Sequence, residues 1–121
     1  MSETVVVLGA SDKPDRYAYK ALAKLRELGH RVIPVHPRLS VIDDIAVVAA
    51  LTDIEEPVDT VTLYVNSTIS ESLADALLAL EPRRVLFNPG TESAILAAAL
   101  NDAGIKTEEV CTLVLLSTGQ F

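Results

Sequence analysis

The stretch Val5-Val6-Val7-Leu8-Gly9-Ala10-Ser11-Asp12-Lys13-Pro14 decides the fold. Its first four residues are apolar and three of them are β-branched, so the strand they form has no polar face, the pattern of a parallel sheet covered on both sides. Gly9 ends that strand. Beyond the loop, Ala18, Ala21, Leu22, Leu25 and Leu28 recur on one face of a helix that Gly29 stops. Arg31-Val32-Ile33-Pro34-Val35 then gives a second strand, expected to be weakly paired on one side at Pro34, which has no N–H to donate.

The remainder repeats the alternation. Arg38 to Pro57 carries the weakest pattern, with a short edge strand expected at Ile45 to Val48 and a helical turn from Ala49 to Ile54. Thr60 to Val65 reads as a strand, followed by a helix in which Thr68 and Glu71 form a capping box and Leu73, Leu77 and Leu80 share a face. Val85 to Phe87 is the next strand. Thr91 is expected to cap a helix through Leu100 that Gly104 ends, and Ile105 to Glu109 makes a more polar last strand before the apolar tail Val110 to Leu116. Such alternation means βαβ units with right-handed crossovers. The expected fold is α/β, a Rossmann-like three-layer αβα sandwich with a mainly parallel, doubly wound sheet of five to six strands, in a single domain over residues 1–121.

Composition narrows the function. Ten Lys and Arg against 17 Asp and Glu give a net charge of −7, which disfavours nucleic acid as the main ligand because phosphate neutralisation needs a basic face. One Cys and two His leave no metal-ligand spacing and no disulfide within the chain. No stretch reaches membrane-spanning length, and the apolar run behind Met1-Ser2-Glu3-Thr4 is too short for a secretory signal, so a cytoplasmic location is expected.

In open α/β sheets ligands bind beyond the carboxyl ends of the strands. The residues there are Gly9 to Pro14, His36-Pro37-Arg38, Asn66-Ser67 and Asn88-Pro89-Gly90. A dinucleotide fingerprint would place glycines at 9, 11 and 14, but the chain has Gly9, Ser11 and Pro14, so only the tight-turn glycine is kept. Ser11 offers a hydroxyl, Lys13 a cation and the helix start its N–H groups, which makes a variant phosphate-binding turn; the alternative is a plain strand-to-helix turn. After the second strand, where NAD binders carry an acid for the ribose, stand His36 and Arg38. A cation there suits a ribose that bears a phosphate, as in coenzyme A (CoA) or NADP. The blander alternatives are a solvated Arg38 and a His36 occupied by a loop hydrogen bond.

Nothing in the sequence assembles a catalytic set. No GxSxG occurs, and Tyr17, Tyr19 and Tyr64 lack a Lys four residues on. Asp12 and Asp15 read as partners of the helix dipole, and His30 falls at the opposite edge of the sheet, where it reads as structural. Cys111, the one thiol, reads as a packing residue; the alternative is a thiol placed to meet that of CoA.

Taken together, Val7 to Pro14, Val32 to Arg38, Phe87 to Glu92 and Cys111 to Gly119 resemble the small stand-alone CoA-binding domain family of bacteria and archaea. That family is similar to the nucleotide-binding domain of the succinyl-CoA synthetase α subunit. The resemblance implies that Gly9, Ala10, Ser11 and Lys13 cradle the CoA diphosphate, while Val35, His36, Pro37 and Arg38 flank adenine and the ribose phosphate. It places Tyr64, Val65, Asn66 and Ser67, with Asn88, Pro89 and Gly90, along the pantetheine side, and closes Tyr19 over the ligand. Many relatives carry Asn at His36 and Lys at Arg38. The synthetase reaction needs a second domain and a partner subunit, so the resemblance implies binding of CoA or a short acyl-CoA without a self-contained catalytic site. Two rival readings are an NADP-binding reductase-like protein and an interaction protein with a vestigial pocket, assembling through Val110 to Leu116 and Phe121. A homodimer is compatible with each, although the tail reads first as covering for the core.

Overall fold

A computed structural model describes residues 2–121. In chain order the elements are β1 (Thr4–Leu8), α1 (Tyr17–Glu27), β2 (Arg31–Val35), β3 (Val41–Ile42), β4 (Ile45–Ala46), a 3-10 turn (Leu51–Asp53), β5 (Thr60–Leu63), α2 (Ser67–Ser72), α3 (Ala74–Leu80), β6 (Arg84–Phe87), α4 (Ala94–Asp102), β7 (Lys106–Glu109) and α5 (Thr112–Ser117). Five parallel strands form one sheet in the order β2-β1-β5-β6-β7, and β3 with β4 makes a separate antiparallel hairpin. The chain leaves β1 toward β2 on one side and resumes with β5 on the other, so the strand order reverses between β1 and β5.

Successive residues of β1 point to opposite faces, and both faces are covered. Val6 and Leu8 pack with Ile33, Val61, Phe87, Leu77 and Leu96 on one side, while Val5 and Val7 pack with Ala18, Leu22, Leu25, Val32 and Leu116 on the other. The uniformly apolar reading of this strand follows directly from that three-layer arrangement. By contrast, β7 is an edge strand of Lys106-Thr107-Glu108-Glu109, whose charges discourage pairing with a further strand. Pro34 lies in the other edge strand. Its carbonyl accepts from Val48 N–H at 2.9 Å on the side away from β1, so the N–H that proline lacks would also have pointed outward.

Gly29 closes α1 with a Schellman motif, in which His30 N–H reaches Leu25 C=O at 3.0 Å and Gly29 N–H reaches Arg26 C=O at 2.9 Å. Leu28, expected on the buried face, is 49% exposed because it sits at the cap, where the helical phase ends. Several other boundaries also differ from expectation. β5 stops at Leu63, and the helix after it starts at Ser67 with the Asn66 side chain accepting Ile69 N–H, so Thr68 and Glu71 form no capping box. That helix breaks at Leu73 into α2 and α3. Ser93, not Thr91, caps α4, whose last residue is Asp102; Thr91 instead donates to Asn88 C=O. Of Ile45 to Val48, the first two residues pair in the hairpin and only Val48 bridges to the large sheet, at Val35. The apolar tail is the helix α5, which buries Leu116 and leaves Val114 exposed.

Candidate functional site

At the reversal point, Gly9 has φ +88°, and a Cβ there would lie 2.7 Å from Val65 Cγ1 and 2.9 Å from the Tyr64 carbonyl oxygen. The loops following β1 and β5 thus touch across a position only glycine can occupy. Gly9 and Ala10 N–H groups both donate to Val35 C=O, at 3.1 and 3.2 Å, which fastens the same turn to the end of β2. Lys13 N–H donates to Ser11 Oγ at 3.1 Å, and Arg16 N–H to Lys13 C=O at 3.0 Å, folding the chain into α1. Arg16 is the N-cap of that helix and supplies no side-chain cap, and no acidic residue stands in the first turn. Asp12 and Asp15 precede this N-cap in the loop, and neither is the capping residue. The first-turn amides keep their partial positive charge for another acceptor.

The loop after β2 is organised by His36, whose Nδ1 accepts from Arg38 N–H at 3.0 Å and Leu39 N–H at 3.1 Å. With Nδ1 engaged as acceptor, a neutral ring carries its proton on Nε2. His36 N–H also donates to Val48 C=O at 3.1 Å, which draws Ala49 to Thr52 up beside the loop.

Between these segments lies a cleft of about 960 Å³. Its polar end is formed by Ser11, Asp12, Lys13 and Arg16 of the first loop, with His36, Pro37 and Arg38 of the second. The apolar part of the lining comes from two chain segments and makes a slot, with Leu39, Ala49, Ala50 and Leu51 following β2 and Val65, Ile69, Leu73 and Ala76 following β5. Among the described residues Lys13, Arg16 and Arg38 make no ion pair, while Arg26, Arg31, Arg83 and Arg84, which do, all stand outside the cleft. Asp12 is the one carboxylate in the lining. An acidic protein thus keeps three uncompensated cations around one apolar slot.

Ten of the residues singled out from the sequence come together here: Gly9, Ala10, Ser11 and Lys13; Val35, His36, Pro37 and Arg38; and Tyr64 with Val65. Six lie outside the lining. The Tyr19 hydroxyl donates to the Asp43 carboxylate at 2.9 Å beside the β3–β4 hairpin, and this bond raises its pKa above the ordinary tyrosine value. Asn66 caps α2, and Ser67 is its first residue. Asn88 is buried; its amide donates to Thr62 Oγ1 at 2.7 Å and Leu63 C=O at 2.8 Å, and its Oδ1 accepts Thr112 N–H at 2.9 Å. Pro89 and Gly90 are exposed, and Gly90 N–H donates to the Glu92 carboxylate. Cys111 is half-buried at the N-cap of α5, beside Tyr64 and outside the cleft lining. Burial pushes the Tyr64 phenol up to about 12, against the opposing pull of the Thr112 and Thr62 hydroxyls.

Sequence reasoning missed Arg16 and Tyr17 in the lining, as well as the apolar slot. The first two were legible from the start of the α1 periodicity. The slot was not, because Ala49 to Thr52 reaches it through the isolated bridge at Val48. Among the described residues no group of three His, Cys, Asp or Glu side chains could hold a metal ion, and no helix is long and apolar enough to cross a membrane.

A doubly wound sheet whose reversal point opens on a cationic cleft defines a Rossmann-type binding module. The chain belongs to the CoA binding domain family, whose model matches residues 3–117. It is 38% identical to an uncharacterised protein of known crystal structure, with a TM-score of 0.87, covering 100% of this chain and 99% of that one. A second solved structure, cell-free ID.343 from Thermus thermophilus, is 32% identical with a TM-score of 0.89, covering 99% of this chain and 91% of that one. The uncharacterised protein YneT of Bacillus subtilis (strain 168) is 29% identical over 77 residues, 64% of this chain and 57% of YneT.

Proposed function

We propose that the chain binds CoA, or a short acyl-CoA, non-covalently in this cleft and holds it without a catalytic group of its own. The observation that carries the reading is the convergence of Lys13, Arg16 and Arg38, unpaired among the described residues, on an apolar slot in a chain of net charge −7. A ligand that fits must be strongly anionic at one end and carry a flat apolar group beside it. CoA meets both needs: its diphosphate goes to the Ser11–Lys13 turn and the first-turn amides of α1, its 3′-phosphate to Arg38, and its adenine into the slot between Leu51 and Ile69. Membership of the CoA binding domain family supports the assignment.

Isothermal calorimetry tests it. CoA should bind more tightly than dephospho-CoA by about one to two decades, the contribution of one charge-assisted contact of roughly 1.5 to 3 kcal/mol. NAD, whose adenosine ribose carries no 2′- or 3′-phosphate, should bind barely at all. Equal affinities for CoA and dephospho-CoA would remove Arg38 from the reading, and tighter binding of NADP than of CoA would move the protein to the reductase-like alternative.

A further inference from the structure

We infer that Tyr17 is the aromatic wall against which the pantetheine arm of the ligand lies, an inference that rests on the CoA reading of the cleft. Tyr17 opens α1, and although it lines the cleft it is 69% exposed, an unusual state for an aromatic ring with no protein surface to cover. Lys20 Nζ stands over the ring at 5.5 Å from its centroid, one helical turn on. Its direction follows from helix geometry. Successive side chains turn by about 100°, so Tyr17 and Tyr19 flank the buried Ala18 on opposite sides. Tyr19 points toward the β3–β4 hairpin, where it meets Asp43. Tyr17 therefore points the other way, toward β5 and α5, the side on which α5 packs against α1 and Thr112 is bonded to Thr62.

The two ends of the cleft divide the ligand accordingly. Leu51, Leu73 and Ala76 of the slot pack with the core on one face of the sheet and take the nucleotide, whereas Ala18 of α1 and Tyr64 pack with the core on the other face, so the chain that leaves the diphosphate crosses the β1 turn to the face of Tyr17 and Tyr64. The pantetheine arm is a thin chain of amides and methyl groups, and an exposed phenol ring gives it an apolar face to lie along. Tyr17 thus separates ligands that carry the arm from those that end at the diphosphate or before it.

The experiment compares CoA with 3′-phosphoadenosine 5′-diphosphate, which keeps the nucleotide and both phosphates of the diphosphate and loses only the arm. Calorimetry on the unsubstituted protein, Tyr17→Ala and Tyr17→Phe should show CoA weakened about five- to tenfold in Tyr17→Ala, the effect of one aromatic face removed from a contact. 3′-Phosphoadenosine 5′-diphosphate should be unaffected by that change, and Tyr17→Phe should retain CoA because the ring makes the contact. Equal weakening of both ligands in Tyr17→Ala, or of neither, overturns the inference while leaving the CoA reading in place. If the unsubstituted protein binds neither ligand, the CoA reading falls and the inference with it.

Discussion

Asn88 ties three elements together: its amide holds Thr62 and Leu63 of β5, and its oxygen holds the first N–H of α5. Each partner is buried or at a strand end, so removing the amide leaves polar groups unsatisfied in the core. Asn88→Ala should lower the unfolding free energy by roughly 3 kcal/mol in urea titration, with the CoA affinity of the folded protein unchanged. Loss of CoA binding at undiminished stability would instead place the amide against the ligand, as the family resemblance implied. Nothing in the sequence distinguishes the two roles, since Asn88 follows a strand as ligand-binding residues do, and its partners Thr62 and Thr112 stand 26 and 24 positions away. His36 is a similar case. Its place after β2 was legible, but its acceptance of two N–H groups within the loop depends on a conformation that only the folded chain shows.

The strand–turn–helix unit from Thr4 to Glu27 was legible almost entire, because each of its signals is local: an unbroken apolar run, a glycine at the strand end, and a helical period closed by Gly29. The segment from Arg38 to Pro57 was not. Its two-residue strands and single 3-10 turn are held by contacts with β2 and α3 rather than by any period of their own. Caps were also misplaced, at Thr68 and Thr91, where a nearby Asn66 or Ser93 wins the competition by position in the turn. If the β1–α1 turn holds the diphosphate, a bulky side chain in it should abolish binding without unfolding the domain, since the turn contributes little to the core. Ser11→Tyr is expected to bind no CoA in calorimetry while its far-UV circular dichroism and urea midpoint stay at those of the unsubstituted protein. Unchanged affinity would show that the ligand does not pass over this turn.

Across the whole molecule charge is segregated. The amino-terminal edge of the sheet is a neutralised network, with Arg84 held between Glu3 and Glu108 and over the Phe121 ring, while the carboxyl edge between β1 and β5 keeps its cations uncompensated. Alternation of strands and helices made the doubly wound architecture legible, whereas the strand order, and with it the location of the cleft, emerges from pairing between strands far apart in sequence. Chemical-shift mapping tests the central claim most directly, because it reports every backbone amide during one CoA titration. Saturable shifts are expected at Gly9, Ser11, Arg38, Leu51 and Ile69, all in the cleft, with Glu56 and Lys106 on the outer strands and loops unmoved. Shifts centred on the amino-terminal edge, or none as CoA is raised to millimolar levels, would contradict the account.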